Sequence, residues 1–403
     1  MTYKNILIVV DPDFNVDHVG VLRVTRYHFK NLVARGHRVT LATYQDGNWV
    51  SCSALDAARA IYSDKTHAGA EKPYWQSGNW TLPGIAEAPA AEVRWRVKWD
   101  GDIVSPEDFD EAILTNPWQC VYEGKQVRDA AFSVAIVHDM VPNLIALGLL
   151  RMPQYVDIYQ FAHKHHIGYE YYVRNVKAIT CVSENSRNDF NKLYGTRAGS
   201  RVDVCTPFAD FGVGTAYNDP AARDVLMINV LDHRKNFLTV AKALKEASKT
   251  AKLHVVIVGR ERLPREEVMQ FLTDIAKSCA SVRWYRGPSD LQLQELMTKT
   301  KVVFFPSFYE GLGLPILEAQ ARGVPVITSN VSSCGEINQN SVLTADPYDY
   351  KAFARILNDL LDDRLPVLKG AALRDAQVAF LTGRNTLFSS FADTTVEASE
   401  FRA

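Results

Sequence analysis

An α/β protein made of two Rossmann-like halves, each a mostly parallel sheet covered by helices on both faces and facing a shared cleft, is the fold class the sequence predicts. Three observations carry it. Short β-branched runs alternate with amphipathic segments, the pattern of βα units. The alternation stops in a turn-rich stretch near 209–223 and then restarts. The length, 403 residues, suits two or three domains at roughly 100–200 residues each.

The elements follow in order. Ile6–Val10 is an apolar run that stops at Asp11-Pro12-Asp13. A signal peptide needs about 7–15 apolar residues and a membrane span about 20, so this run reads as a buried first strand over 5–10, and the expected location is cytoplasmic. A loop ending at Gly20 leads to a helix from Val21 to Ala34, closed by Gly36. Val39–Thr43, Phe132–Val137 and Ala178–Val182 are further strands. The stretch 45–125 is less regular and rich in tryptophan, an aromatic-rich loop region of the kind that often lines a ligand site. After the break come strands at 225–231, 254–258, 282–285, 302–306 and 325–328, with helices at 237–248, 268–278, 291–298 and 314–322. The predicted domains are therefore 1–208, a hinge over 209–223, and 224–383, with a helical tail from about 384 to 403 packing back on the first domain.

Composition excludes several classes. Apolar residues make up 47% and charged residues 23%, with net charge −1, so no basic field exists to attract nucleic acid. Gly (22) and Pro (17) are too few for a low-complexity chain. Six cysteines without a CxxC pair fit neither a disulfide framework nor a zinc site. No G-x-G-x-x-G, Walker A or G-x-S-x-G motif occurs, which weakens dehydrogenase, NTPase and serine-hydrolase readings. An anionic ligand must be held by a few placed groups.

The segment Phe308-Tyr309-Glu310-Gly311-Leu312-Gly313-Leu314-Pro315-Ile316-Leu317-Glu318 supplies them. It follows a strand and opens a helix. Pro315 suits a first helical turn, Gly311 and Gly313 allow close backbone approach, and the helix start offers amide donors to phosphate. Carboxylates eight positions apart flank this turn. They face a diphosphate poorly, so they should reach hydroxyls on either side of it: Glu310 a sugar, Glu318 a ribose. His233-Arg234-Lys235-Asn236 places two cations after the first strand of the second half.

This segment, with its continuation through Ala319–Asn330 and Cys334-Gly335-Glu336-Ile337, resembles the E-x7-E signature of retaining GT-B glycosyltransferases, most nearly glycosyltransferase family 4. His233–Asn236 resembles the family's basic turn. The resemblance implies that Arg234 and Lys235 neutralise the donor diphosphate, with Lys235 the stronger candidate, and that Asn229 stands where many relatives have a further Arg. It implies that Gly259 and Arg286-Gly287-Pro288 end the strands that enclose the nucleotide base, with uracil, guanine and thymine all open. It implies donor contacts from Gly20 and Arg23 in a glycine loop, from His138 at a strand end, and from the turn Gly311, Leu312, Gly313 and Leu314. The expected catalytic set is Glu310, Lys235, Arg234 and His138.

The implied reaction moves a hexose, with retention, from a nucleoside-diphosphate sugar such as GDP-mannose, dTDP-rhamnose or a UDP-sugar to a glycan or lipid-linked hydroxyl. Bacterial surface polysaccharide is the expected product, and peripheral contact with the inner membrane face is open. The nucleotide-sugar is a substrate; no cofactor or metal is expected. Asp11-Pro12-Asp13 and Asp108-Phe109-Asp110 are D-x-D patterns outside a metal-binding context, and His163, His165, His166 and Glu170 lack a fourth ligand at zinc spacing. Ser183-Glu184-Asn185-Ser186 reads as a helix cap. A same-fold sugar-nucleotide epimerase and an inactive sugar-nucleotide-binding scaffold are the alternatives.

Overall fold

The computed structural model describes residues 3–15, 19–62, 73–78, 96–122, 125–126, 132–152, 158–195, 201–207 and 224–384. The described residues of 1–63, 94–210 and 381–403 form one unit, and those of 64–93 and 211–380 form another. The expected hinge over 209–223 and the tail beyond Arg384 lie outside the described residues.

In the first unit, β1 (Asn5–Val9), β2 (Arg38–Gln45) and β3 (Asn48–Ser51) open the chain. Next in sequence is β4 (Trp75–Gln76), which belongs to the second unit. The first unit resumes with β5 (Ile103–Val104), β6 (Glu111–Leu114), the ribbon β7 (Val121–Tyr122) and β8 (Lys125–Gln126), β9 (Val134–Val137), β10 (Ala178–Cys181) and β11 (Arg201–Val204). The sheet order is β11-β10-β9-β6-β1-β2-β3-β5. It is parallel from β11 to β2 and antiparallel at β3 and β5. Ile6 to Val9 are wholly buried, as strands covered on both faces must be.

The second unit contains β12 (Asp224–Ile228), β13 (His254–Val258), β14 (Ser281–Tyr285), β15 (Thr300–Phe305), β16 (Val326–Ser329) and β17 (Thr344–Ala345). Their order is β17-β16-β15-β12-β13-β14-β4, parallel except for β4. The chain runs from β12 through β13 to β14, then returns to the other side of β12 with β15. Strand order therefore reverses between β12 and β15. Open α/β sheets bind ligands beyond the carboxyl ends at such a point, and the loops after these two strands carry Arg234-Lys235 and Glu310.

The structure corrects the reading of 45–125. That stretch contains β3, a helix over Ala54–Tyr62, and β6, a central strand of its sheet. The segment 73–78, expected in the first domain, joins the second sheet. There Trp75 is 1% exposed and packs into the core with Trp284, Phe271 and Val282. An isolated two-residue strand carries no periodicity, so only its partner β14 reveals it. Among the described residues no helix is long and apolar enough to cross a membrane.

Candidate active site

The basic turn is built by local capping. Asp232 accepts a hydrogen bond from the Arg234 amide at 2.8 Å and starts a short 3-10 turn over His233–Lys235. Asn236 then takes a left-handed conformation (φ 66°), which asparagine tolerates better than most residues. Its Nδ2 donates to the carbonyls of Pro306 and Pro347 at 3.0 and 2.6 Å. This ties the turn after β12 to the end of β15. The Phe308 amide donates to the Arg234 carbonyl at 2.9 Å, a second tie between the same loops.

These ties bring three charges together. Glu310 Oε1 lies 2.5 Å from Lys235 Nζ, and Glu310 Oε2 lies 2.8 Å from Arg234 Nη1. Arg234 also donates to the Tyr309 carbonyl at 2.7 Å. Lys235 Nζ sits 4.5 Å from the centre of the Phe305 ring. Burial by itself would raise the Glu310 carboxyl, but the Arg234 and Lys235 charges override it and hold the group down at about 2. Lys235 is pulled below its ordinary value, by burial first and by Arg234 second, while Glu310 opposes the shift. The trio carries one net positive charge in a buried setting, where charge acts strongly.

The Glu310 backbone is fixed as well. Its amide donates to Ser332 Oγ at 3.1 Å and its carbonyl accepts from Ser333 Oγ at 2.9 Å. Sequence reading missed these serines, although they fall in the gap between the two quoted motif segments. Gly311 and Leu312 follow, and Gly313 caps the helix Leu314–Ala321 with φ 84°. A Cβ there would meet the Cδ1 atoms of Ile316 and Ile337 at 3.2 Å. Glu318, on the next turn of that helix, is 2% exposed.

Gly259 ends β13 with φ 119°, and a Cβ would come within 2.1 Å of Asn229 Oδ1. Arg286 follows β14, where Nε and Nη2 clasp Glu261 at 2.9 Å each; Gly287 and Pro288 continue that loop. The second unit thus brings together Arg234, Lys235, Glu310 and the 311–314 turn, with Glu318, Gly259 and Arg286 on neighbouring strand ends and the following helix.

The other predicted residues lie in the first unit. His138 follows β9, with Nε2 2.8 Å from the Thr115 carbonyl. Gly20 is not in a glycine loop. It is the second residue of the helix Val19–Ala34, exposed and without positive φ, and a Cβ there would meet nothing within 4 Å. Arg23 is one turn further along that helix. Residues 16–18 are outside the described residues.

The alternative constellations are occupied by structural partners. Asp11 accepts from Trp118 Nε1 at 2.7 Å, and Asp110 from the Asn5 amide at 2.7 Å. His165 stacks on Trp118, and His166 Nδ1 lies 2.9 Å from the Tyr194 hydroxyl. Among the described residues, no group of three or more His, Cys, Asp or Glu is placed to hold a metal ion. Ser183 caps its helix by accepting from the Ser186 amide.

The geometry of the second unit meets a known family at this point: residues 218–375 match the model for glycosyl transferases group 1. The matched segment lies within the second unit. An O-antigen chain mannosyltransferase B from Escherichia coli is 34% identical over 201 residues, covering 47% of this chain and 53% of that protein. The serotype-specific mannosyltransferase WbdA of Escherichia coli is 24% identical over 229 residues, covering 52% and 27%. The chain thus spans about half or less of the length of these curated relatives. Among solved structures, sucrose-phosphate synthase from Thermosynechococcus elongatus aligns over 99% of this chain and 97% of its own, with TM-score 0.58 and 13% identity. Anabaena HepE in complex with UDP and glucose aligns over 95% and 96%, with TM-score 0.57 and 14% identity. The fold is α/β of the GT-B type. No residue of the first unit falls within the glycosyl transferases group 1 match.

Proposed function

We propose that this protein is a retaining hexosyltransferase of glycosyltransferase family 4 type, taking its sugar from a nucleoside diphosphate. The observation that carries the reading is the buried Arg234–Glu310–Lys235 trio at the strand-order reversal, beside the amides that open the helix Leu314–Ala321. Bond breaking at the anomeric carbon places negative charge on the departing diphosphate. Arg234, Lys235 and the 311–314 amides stabilise that growing charge without having to reorganise. Glu310, fully ionised, orients the sugar hydroxyls and supports the oxocarbenium-like transition state. Glu318 accepts from the ribose. The acceptor hydroxyl attacks from the face the diphosphate leaves, which gives an α-linkage.

The mannosyltransferase relatives and the UDP and glucose recorded with HepE support a nucleotide-hexose donor, with mannose favoured. A surface glycan or lipid-linked sugar is the proposed acceptor, handled in the cytoplasm at the inner membrane face. His138 and Arg23 are the proposed polar groups of the acceptor-side unit; Gly20, inside a helix and without close neighbours, carries no part of the proposal. Leaving-group stabilisation is assigned to side chains and amides, with no metal invoked.

Thermal-shift titration with GDP-, UDP- and dTDP-sugars tests the reading, since a bound donor stabilises the folded state by mass action. Stabilisation by at least one donor is expected. No response to any of them would sink it. Turnover with retained anomeric configuration separates transfer from the epimerase and scaffold alternatives.

A further inference from the structure

Arg286 is held from two directions, and one of them comes from outside the matched 218–375 segment. Its guanidinium clasps Glu261 through Nε and Nη2, and its Cζ lies over the Tyr74 ring, 5.5 Å from the centroid. Tyr74 is fixed in turn. Its amide donates to the Trp284 carbonyl at 2.7 Å, its ring meets Trp284 edge-on at 5.0 Å, and Trp75 beside it is buried in the core. On the far side of β4, the Ser77 amide donates to the Val282 carbonyl at 2.9 Å. The segment 73–78 is therefore stitched to β14 from Val282 to Trp284, just before Arg286.

The loops after β15, β12, β13 and β14 lie in spatial order, about 4.8 Å apart. A diphosphate held after β12 and β15 places its nucleoside within reach of the loops two strands away, after β14. With Glu261 taking Nε and Nη2 and Tyr74 taking the ring contact, Arg286 has one arrangement rather than many. Arg286–Pro288 is then presented to a base in a fixed shape, and ordering costs less on binding.

Resting on the nucleotide-sugar reading above, we propose that Tyr74 is a positioning residue for base recognition: with Glu261 it fixes the Arg286 side chain and the Arg286–Pro288 turn that receives the base of a nucleoside diphosphate. The 73–78 segment then contributes to donor specificity although it lies far from the basic turn in sequence.

Calorimetric titration of the full chain with GDP, UDP, dTDP and inorganic pyrophosphate tests this. Pyrophosphate reads the cationic cradle alone; the nucleotides read cradle and base. Tyr74→Ala is expected to weaken the preferred nucleoside diphosphate about fivefold, the scale of a cation–π contact, and to leave pyrophosphate unchanged. Tyr74→Phe keeps the ring and should bind as the parent does; Glu261→Gln should repeat the split. Unchanged nucleotide binding in Tyr74→Ala, or equal loss of nucleotide and pyrophosphate, overturns the inference and leaves the functional reading intact. A parent chain that binds none of the three nucleotides overturns both.

Discussion

Lys235 Nζ and Glu310 Oε1 stand 2.5 Å apart across 75 residues of sequence, both side chains less than a tenth exposed. Arg234 occupies the other carboxylate oxygen. A buried carboxylate with two cations is costly to assemble and costlier to break, because removing one partner leaves uncompensated charge. Its place at the strand-order reversal is the observation on which the proposed catalytic role rests.

Glu310→Ala is expected to lower turnover at least about a hundredfold, the scale of a lost transition-state contact, with nucleotide affinity nearly unchanged. It leaves Arg234 and Lys235 facing each other, so stability should fall by about 3–5 kcal/mol. Because affinity is nearly unchanged, a given concentration of nucleoside diphosphate should stabilise variant and parent by the same amount. Steady-state kinetics and denaturant melts with and without nucleotide measure both effects.

Glu318→Ala should show the reverse pattern. If Glu318 accepts from the ribose as proposed, its loss weakens nucleotide binding by about 1.5–3 kcal/mol, while turnover at saturating donor changes less. Equal effects of the two glutamates on binding and turnover would contradict the assigned roles.

Lys235→Ala removes the cation nearest to Glu310, and turnover should fall by about two to three orders of magnitude. Lys235→Arg is not a conservative rescue, because a planar fork cannot replace a compact ammonium in a buried slot. Single-turnover rates on the folded variants decide this.

The trio also predicts acid sensitivity. The Glu310 carboxyl is held at about 2, below its ordinary 4.5. A carboxylate lowered in the folded state stabilises fully above its ordinary value, and that contribution is lost as pH falls from there toward about 2. Denaturant melts between about pH 6 and pH 3 should show a steeper loss in the parent than in Glu310→Gln, which has no proton to take up.

Gly323→Ala tests the support behind the helix Leu314–Ala321. Gly323 has φ 74°, its carbonyl accepts from the Gly370 amide at 2.8 Å, and a Cβ would lie 2.5 Å from Gly370 Cα. Backbone cannot move aside as a side chain can, so a loss of at least about 1–3 kcal/mol is expected. Nucleotide affinity, corrected for folded fraction, should stay within twofold or so.

Much of this was legible in the residues. The strand His254–Val258 and the start of the helix Phe237–Ala247 coincide with the predicted ones, because buried parallel strands need continuous apolar runs. The glutamates and the Arg-Lys pair were marked by residue type beside glycine and proline punctuation. β6, Glu111–Leu114, was overlooked because its short apolar run begins among acidic residues. The helix Val19–Ala34 starts before Gly20, so a glycine taken to end a loop lies inside the first turn, where it makes no close contact that would require it.

By itself, the sequence determined the α/β class, the alternation of the second half and the chemical types at the site, since hydrophobic period and turn chemistry act locally. Only the tertiary structure decided that Glu310 would be locked between Arg234 and Lys235, that Ser332 and Ser333 would hold its backbone, and that Tyr74 would close on Arg286. Each of these joins segments tens to hundreds of residues apart. Their proximity is set by strand order and loop ties, which no local pattern encodes.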